Sequence, residues 1–322
     1  MKVLLLGASG LLGHNVLKLL LDEHHDVVVL VRRCNAIALQ HSQPYTTLIG
    51  SLLDYTTLLN AAQHCDAIIN CAGTTDMSLR HLDDYLPVNQ HLCTLLIQLV
   101  DETHINTLVH VSTANTIGYG TPEQPANETA PFAPPFSQSF YAQSKQAGEN
   151  ILLNYATQHH NKHIIVLNPG FMVGAYDVKP SSGKLLTTGF RRPLMMVPRG
   201  GKSFIHVADA ATATVHALTL GSNGKRYLLT GCNLSLKEFY ALQAKTLHYR
   251  QLIVTLPNGM VRAAGKLGDL LRFCGIKTQL SSRNVNQLLI CEYYTARKAI
   301  DELQMPQTPI AQAISDFWNY QK

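Results

Sequence analysis

Short apolar runs alternate with amphipathic stretches over the first half of the chain. The runs are rich in Val, Ile and Leu and have the length of buried strands. They lie near 2–6, 26–31, 46–49, 66–70, 107–111 and 163–168. The stretches between them repeat apolar residues three and four positions apart, and the longest predicted helices lie near 82–100 and 140–160. This alternation predicts an α/β fold with a doubly wound parallel sheet.

A glycine-rich turn joins the first predicted strand to the first predicted helix, with the spacing GxxGxxG. Gly7 and Gly10 allow a tight turn and the close approach of a pyrophosphate, and Gly13 lets the helix pack against the strand. The helix N-terminus favours an anion, because its N–H groups and positive dipole end point there. The turn therefore predicts a Rossmann-type dinucleotide site. Its expected contacts are Gly7, Ser9, Gly10, Leu11, Leu12 and Gly13.

The periodicity loosens after about residue 175, which suggests a second, smaller lobe. We predict an NAD(P)-binding Rossmann domain over 1–175, with 204–225 returning to it. The segments 176–203 and 226–322 would form a C-terminal substrate-binding lobe. A chain of 322 residues that is 46% hydrophobic is large enough for both parts.

Two arginines, Arg32 and Arg33, end the second predicted strand, about 20 residues past the glycines. NAD sites place an Asp or Glu here against the ribose 2′-hydroxyl, whereas an Arg can bind a 2′-phosphate through paired hydrogen bonds. The reversed charge favours NADP over NAD as the cofactor. The alternative is that both arginines are solvated at the strand end.

Tyr141 and Lys145 form a YxxxK pair in the helix predicted near 140–160. At this spacing both side chains share one helix face. A nearby ammonium stabilises phenolate, so we expect Lys145 to lower the pKa of Tyr141. Such a tyrosine can exchange a proton with a carbonyl or alcohol oxygen. YxxxK also occurs by chance on solvated helices, and it gains weight here from the dinucleotide turn upstream.

Four further stretches match one family, in that family's order along the chain. They are Ile69-Asn70-Cys71-Ala72-Gly73, Val109-His110-Val111-Ser112-Thr113, Asn168-Pro169-Gly170-Phe171-Met172-Val173-Gly174 and Phe204-Ile205-His206-Val207-Ala208-Asp209. Together with the glycines and YxxxK, they make the whole chain resemble an extended short-chain dehydrogenase/reductase of the NAD-dependent epimerase/dehydratase superfamily. It is most similar to the dihydroflavonol-4-reductase-like and hopanoid-associated sugar-epimerase-like branch.

This resemblance implies a third hydroxyl at the end of the fifth strand, which we assign to Thr113 with Ser112 as the runner-up. It implies that Asn89 supports the proton relay, and the alternative is an ordinary helix Asn without that role. Ser51 stands where the family usually has an Asp against the adenine, which leaves that contact open. The further cofactor contacts that the resemblance implies are Leu52, Cys71, Ala72, Gly73, Asn89, Tyr141, Lys145, Pro169, Gly170 and Met172.

Three function classes fit these residues. The first is an NADP-dependent oxidoreductase that reduces an aldehyde or ketone, with Tyr141 as general acid, Lys145 beside it and Thr113 orienting the substrate oxygen. The second is a nucleotide-sugar epimerase with a retained NAD(P). The third is a non-catalytic dinucleotide sensor, which the retained Tyr and Lys disfavour. The substrate, a small carbonyl compound or a sugar, would meet the candidate residues Thr74, Asp76, Met172 and Lys179.

Charge and cysteine content narrow the partners further. A net charge of +5 without a stripe of basic and aromatic residues gives no support to nucleic-acid binding. No run reaches the roughly 18 apolar residues of a membrane span, so we expect no membrane partner. Seven cysteines without CxxC pairing fit reduced thiols in the cytoplasm. His159, His160 and His163 lack the pattern of a metal site, and we expect no metal.

Two surface segments and the oligomeric state leave alternatives open. The Pro-rich stretch 121–135 is either a lid or a surface loop. A basic group, opposed only by Asp177, either binds an anionic substrate or is a solvated loop. Its members are Lys179, Lys184, Arg191, Arg192, Arg199 and Lys202. The resemblance implies a homodimer through the helices near 82–100 and 140–160, although the leucines of the first helix also fit packing onto the sheet.

Overall fold

A seven-stranded sheet forms the centre of the computed structural model, which describes residues 1–33, 37, 41–177 and 182–321. Its strands are β1 (Lys2–Leu6), β2 (Asp26–Val31), β3 (Thr46–Ile49), β4 (Ala67–Asn70), β5 (Thr107–Val111), β6 (His163–Pro169) and β10 (Arg226–Leu229). The strand order is β10-β6-β5-β4-β1-β2-β3, and every neighbouring pair is parallel. The predicted α/β, doubly wound parallel sheet is confirmed.

Helices cover both faces of this sheet. Val3 and Leu5 of β1 face one core, whereas Leu4 and Leu6 face the other. The strands therefore read as continuous apolar runs, because both faces are buried. The first core lies under α1 (Leu11–Asp22), α6 (Val207–Leu220) and α10 (Arg297–Leu303), and the second under α2 (Tyr55–Ala62), α3 (Leu92–Glu102) and α4 (Phe140–Gln158).

A separate apolar core holds the remaining elements together around Phe204, Phe239 and Phe317. Its strands are β7 (Phe171–Val173), β8 (Leu194–Val197), β9 (Gly201–His206), β11 (Cys232–Ser235), β12 (Leu252–Thr255) and β13 (Cys291–Glu292). One small sheet joins β9 to β7, β11 and β13, and another pairs β8 with β12. The helices are α5 (Gly183–Gly189), α7 (Leu236–Thr246), α8 (Asn258–Phe273), α9 (Ser282–Gln287) and α11 (Ile310–Gln321).

Strand pairing differs from the predicted division of the chain at two elements. β10 lies within the segment assigned to the substrate lobe, 226–322, yet it pairs with β6 at the edge of the central sheet. β9 joins the small sheet, so the part of 204–225 that packs on the Rossmann core is mainly α6, together with Ile205 at the end of β9. The sequence could not show this, because pairing partners are distant along the chain. The two-lobe division itself stays a prediction.

The helix predicted over 82–100 is irregular in its first half. A 3₁₀ turn spans Leu82–Asp84, a π-helical turn spans Pro87–His91, and regular α-helix begins only with α3 at Leu92. Pro87 has no N–H, so a regular α-helical hydrogen-bond ladder cannot pass through it. The predicted helix near 140–160 is confirmed as α4, and the predicted strands are confirmed within a residue or two.

Leucines on this segment pack inward. Leu92, Leu95, Leu96 and Leu99 are buried in the core beneath the sheet. They therefore give no argument for the homodimer, which stays a prediction from the resemblance. In the described part of the chain, no helix is long and apolar enough to cross a membrane.

We predict that Gly148→Ala destabilises the protein by about 1–3 kcal/mol, since an added methyl overpacks a close helix contact. A Cβ at Gly148 of α4 would lie 2.1 Å from the carbonyl oxygen of Asn89 in the π-helical turn. The matched control is Gly259→Ala in α8, where a Cβ would meet nothing within 4 Å. This control should stabilise by about 0.5–1 kcal/mol, because Gly is a poor helix former. Urea denaturation measures both, and equal stabilities would contradict the close contact.

Candidate functional site

The glycine-rich turn is as tight as its sequence predicts. Gly7 has a φ of +80°, and a Cβ there would lie 2.6 Å from the backbone nitrogen of Ala72. A Cβ at Gly13 would lie 2.2 Å from the carbonyl oxygen of Gly7, so α1 can approach the turn only with glycine here. The N–H groups in the first turn of α1 have no acceptor within the helix. They are available to an anion that binds against the turn.

Lys145 is a buried cation fixed to the end of β5. Only 3% of the residue is exposed, and its Nζ donates a hydrogen bond of 2.7 Å to the carbonyl oxygen of Val111. Burial lowers the pKa of Lys145, because the charged form loses hydration, while Cys93, Glu149 and Cys71 oppose this. The helix α4 that carries it begins after Ser139, whose hydroxyl accepts the N–H of Ala142.

Tyr141 and Thr113 line the same two cavities, and their side chains interact. Burial raises the pKa of Tyr141, and the hydrogen bond from Thr113 opposes that rise only in part. The expectation that Lys145 lowers this pKa is wrong for the chain alone. The physical reason is that burial dominates, while the ammonium of Lys145 is engaged with the carbonyl of Val111. Tyr141 therefore keeps its proton at neutral pH.

Ser112, the alternative hydroxyl, is also buried beside this pair. Its Oγ has no hydrogen-bond partner among the residues that the structure describes. The hydroxyl of Thr113, in contrast, contacts Tyr141 and accepts the N–H of Asn115 at 3.3 Å. The geometry thus favours Thr113 over Ser112 as the partner of the phenol.

A buried polar network lies behind Thr113. The amide of Asn168 donates to the carbonyl oxygen of Thr113 at 3.1 Å, to Oγ1 of Thr116 at 3.0 Å and to Oε2 of Glu149 at 3.0 Å. Glu149 is fully buried and forms an ion pair with Arg226. The network joins α4 to β6 and β10, and it fixes the backbone that presents Thr113.

A cavity of about 490 Å³ opens beside the glycine turn, and we call it the turn-side cavity. It brings together most of the site residues that the sequence predicts. These are Ser9, Gly10, Leu11, Leu12, Gly13, Cys71, Ala72, Gly73, Thr113, Tyr141, Lys145, Pro169, Gly170 and Met172. Thr75, Met77 and Phe171 also line it, and the sequence analysis missed them. Each lies within a few residues of a predicted contact, which is the signal that could have found them.

The remaining predicted cofactor contacts do not line this cavity. Gly7 lies beneath the turn, and Leu52 packs, half-buried, against the core under α2 and α3. Arg32 and Arg33 are exposed directly after β2, and neither makes a hydrogen bond or ion pair with a residue in the described part of the chain. Ser51 is exposed, and its hydroxyl accepts the N–H of Leu53.

Asn89 is fully buried and ties the loop after β4 to α4. Its Oδ1 accepts the N–H of Thr74 at 2.8 Å, and its Nδ2 donates to the carbonyl of Thr74 at 3.0 Å and to the hydroxyl of Ser144 at 2.9 Å. These hydrogen bonds of the Asn89 amide hold the loop after β4 in place beside Lys145. Support of a proton relay by Asn89 stays a prediction.

A second cavity, of about 370 Å³, lies against the first, and we call it the lobe-side cavity. Thr113, Tyr141, Gly170 and Phe171 line both cavities, so the hydroxyl pair lies at their common boundary. Polar residues that line only the lobe-side cavity include Asn115, Lys202, Ser203, Gln279, Asn284, Gln287 and Glu292. The sequence analysis missed most of these, because no local pattern links residues near 280–292 to Tyr141.

The basic group predicted over 179–202 is opposed by a second acid besides Asp177, because Lys202 forms an ion pair with Glu292. The Nζ of Lys202 lies 2.7 Å from Oε1 of Glu292, and both groups are largely buried. Burial raises the pKa of Glu292, and the ammonium of Lys202 opposes this. Elsewhere in the group, Arg191 lies over the ring of Phe190, and Lys179 falls outside the described residues. Lys202 is therefore opposed by Glu292 as well as by the Asp177 that the sequence indicated, and binding of an anionic substrate by the group stays a prediction.

Two further expectations about the pocket also change. Thr74 is bound to Asn89, Asp76 accepts the N–H of Ser78 within its own turn, and neither residue is among those that line the turn-side or the lobe-side cavity. Met172 does line the turn-side cavity.

The Pro-rich loop 121–135 is bound to the segment after β13, since the N–H of Ala126 donates to the carbonyl of Tyr293 at 3.0 Å. Within the described residues, no cluster of His, Cys, Asp and Glu could hold a metal ion.

The chain is similar to known proteins in sequence and in fold. Residues 3–229 match the NAD dependent epimerase/dehydratase family. The chain is 25% identical over 318 residues to a putative dihydroflavonol 4-reductase of Synechocystis sp., covering 96% of this chain and 91% of that protein. It is 27% identical over 277 residues to the 4-hydroxy-2-methyl-3-oxo-4-farnesyl-3,4-dihydroquinoline-1-oxide ketoreductase of Stigmatella aurantiaca, covering 84% and 80%.

A solved structure supports the fold. UDP-glucose-4-epimerase from Stenotrophomonas maltophila, with bound NAD and formylated UDP-arabinopyranose, has a TM-score of 0.79 and 20% identity, covering 100% of this chain and 98% of that one. At this identity the likeness concerns the fold. The family match spans the glycine turn, both members of YxxxK and β10. The chain therefore belongs to the NAD-dependent epimerase/dehydratase family, whose members include reductases and epimerases.

Proposed function

We propose that this protein is an NADP-dependent reductase of a small-molecule carbonyl compound, with Tyr141 as the proton donor. The observation that carries the proposal is the position of the Thr113–Tyr141 hydroxyl pair at the boundary of the two cavities. A carbonyl carbon in the lobe-side cavity would there face a nicotinamide in the turn-side cavity. Two hydroxyl groups at that boundary suit a reacting oxygen, which needs hydrogen bonds as its charge develops.

The turn-side cavity fits a dinucleotide. Its floor is the glycine turn, where side chains at Gly7 and Gly13 would collide with backbone atoms. Its wall includes the start of α1, whose N–H groups suit a pyrophosphate. A bound nicotinamide cofactor would supply the hydride. Lys145, whose Nζ would lie only 3.6 Å from a Cβ at Gly73, lines the same cavity and is suitably located to hold the ribose.

The protonation state of Tyr141 suits reduction. Because burial raises the pKa of this phenol, it carries its proton at neutral pH and can deliver it to a developing alkoxide. Thr113 would hold the same oxygen through its hydroxyl. The network of Asn168 and Glu149 would keep Thr113 in place without touching the substrate.

NADP is favoured by the charges after β2. Arg32 and Arg33 follow the strand at the point where an acid would bind the ribose of NAD, and the described residues leave both guanidinium groups without a partner. Two relatives are named as reductases, which supports the reductase activity and leaves the choice of cofactor to the charges. A cytoplasmic location is retained as a prediction.

A nucleotide-sugar epimerase is the second candidate, since the fold is shared with a UDP-glucose-4-epimerase that binds NAD. A sugar diphosphate needs cations to bind its phosphates. Among the described residues that line the lobe-side cavity, the cation is Lys202, and Glu292 already neutralises it. This pairing favours a neutral carbonyl substrate. A non-catalytic sensor would not need Thr113, Tyr141 and Lys145 in one cavity.

Tyr141→Phe should retain NADPH binding and lose at least about 100-fold in kcat, because a positioned general acid is removed. The substrate is first identified by NADPH turnover with a panel of aldehydes, ketones and nucleotide sugars. Tyr55→Phe, which removes a phenol that donates to Glu102 near the surface, is the matched control and should keep full activity. Full turnover by Tyr141→Phe would reject Tyr141 as the proton donor.

Gly10→Ala should weaken cofactor binding and leave the stability of the fold unchanged. A Cβ at Gly10 would meet only the carbonyl oxygen of Gly7, at 3.4 Å, so the chain can accept it. The methyl group would occupy space beside the turn, and we expect NADPH to bind at least about tenfold more weakly as backbone hydrogen bonds to phosphate are lost. Fluorescence titration measures the affinity, and the thermal midpoint should not change. Wild-type affinity in this variant would mean that no dinucleotide lies against the turn.

Arg32→Asp should reverse the cofactor preference from NADPH to NADH. A guanidinium bound to a 2′-phosphate contributes roughly 1.5–3 kcal/mol, or about ten- to a hundredfold in affinity. Arg250→Asp, at an exposed arginine of the lobe, controls for the change in net charge. Binding of both cofactors is measured by titration. If the wild-type protein prefers NADH, or is purified with NAD bound, the epimerase becomes the better interpretation.

A further inference from the structure

Helix α8 turns a row of large apolar side chains toward solvent. Phe273 is 90% exposed, and the other members of the row are also more than half exposed. They are Met260 (59%), Leu267 (54%), Leu270 (57%) and Ile276 (51%), the last just beyond the end of the helix. We call this set the α8 stripe. Apolar patches that lie together on an otherwise polar surface mark sites of interaction with a protein or a membrane.

The fold does not need the α8 stripe. α8 packs inward through its opposite face, where Val261, Gly265 and Gly268 are buried. A Cβ at Gly265 would lie 3.0 Å from Cα of Ser282, and one at Gly268 would lie 2.3 Å from the carbonyl oxygen of Leu280. Small residues thus make the internal contact, and the large ones face outward. This reverses the usual arrangement of a surface helix, whose large apolar residues face the core.

Basic side chains flank the α8 stripe. Between 258 and 277 the chain carries the exposed cations Arg262, Lys266 and Lys277, and the guanidinium of a fourth, Arg272, is bound to backbone carbonyls. The same segment has a single acid, Asp269, whose carboxylate accepts the N–H of Ser282. Arg262 and Lys266 also line an open surface groove together with Gln138, Ser282 and Asn286. An apolar helix face with Lys and Arg beside it is the pattern of a helix that lies in the plane of an anionic lipid surface.

A second copy of the chain fits this surface less well. Two-fold symmetry would bring the same face of each subunit together. The like charges of Arg262, Lys266 and Lys277 would then approach their own counterparts, with few acids to offset them. An anionic bilayer, in contrast, offers phosphate groups to the basic flanks and acyl chains to the α8 stripe.

α8 is also connected to the wall of the site. The guanidinium of Arg272 donates to the carbonyl oxygen of Met77 at 3.1 Å, and the amide of Asn284 donates to the same oxygen at 3.1 Å. Met77 lines both the turn-side and the lobe-side cavity. A surface held by α8 would therefore lie next to the residues around Tyr141.

We propose that the α8 stripe docks the protein on an anionic phospholipid surface, with the apolar side chains in the interface and the basic flanks at the headgroups. This is peripheral attachment, which requires no membrane-spanning helix. It does not depend on the proposed reductase activity, because the contact uses side chains outside both cavities. Docking would bring the site beside the lipid phase, from which an amphiphilic substrate could enter.

Co-sedimentation with vesicles tests the proposal directly. The wild-type protein should sediment with vesicles of phosphatidylcholine and phosphatidylglycerol, and less with phosphatidylcholine alone or at high salt, which screens the basic flanks. The triple variant Leu267→Ser, Leu270→Ser, Phe273→Ser should bind at least about tenfold more weakly, since three apolar side chains no longer enter the interface. Arg262→Glu with Lys266→Glu should weaken binding to the anionic vesicles only.

The control is Ile49→Ser on β3, where the side chain is 57% exposed, as at Leu270. It should bind vesicles like the wild type. Unchanged thermal midpoints show that each variant is folded. Absence of wild-type binding to anionic vesicles, or undiminished binding by the triple variant, would overturn the proposal. A wild-type dimer in light scattering that the triple variant dissociates would assign the α8 stripe to a second copy instead.

Discussion

A buried carboxylate, Glu149, ties the helix that carries Tyr141 to the strand ends that carry Thr113. A charge without water must be met by an opposite charge and by hydrogen-bond donors, or it destabilises the fold by several kcal/mol. Here the partners are Arg226 of β10 and the side chains of Thr116 and Asn168. Satisfying this one group therefore fixes α4 against β6 and β10. Because α4 is held in this way, the position of Tyr141 relative to Thr113 is fixed as well.

Burial also decides what the site can do with a proton. One turn before Glu149, Lys145 is buried as well, and its ammonium is held by the carbonyl of Val111. The same exclusion of water that lowers the pKa of Lys145 raises that of Tyr141, since both shifts oppose the charged form. A neutral phenol beside the hydroxyl of Thr113 is equipped to donate a proton. The protonation state that suits carbonyl reduction is thus a property of the folded chain, before any cofactor binds.

Sequence patterns predicted the features that depend on near neighbours. Strand β1, the glycine turn and the pair Tyr141 and Lys145 are all short-range patterns, and each lies where the pattern located it. Features set by distant parts of the chain were missed. β10 joins the central sheet through a partner far back along the chain, and the lobe-side cavity takes Glu292 from beyond residue 280. The pKa of Tyr141 was expected to fall, because spacing shows the cation but not the loss of water.

The exposed face of α8 is another feature that a short sequence pattern does not predict. A sequence window detects that apolar residues recur at helical spacing, and the usual inference is that they face the core. In α8 the buried positions are Val261, Gly265 and Gly268, and the glycines allow contacts that no larger residue could make. The large side chains are therefore left outside. The spacing of apolar residues is the same in a helix that packs on a core and in a helix that exposes its apolar face. The two cases differ in which face is buried. In α8 the glycines of the inward face show which case applies, and the apolar residues of the α8 stripe do not.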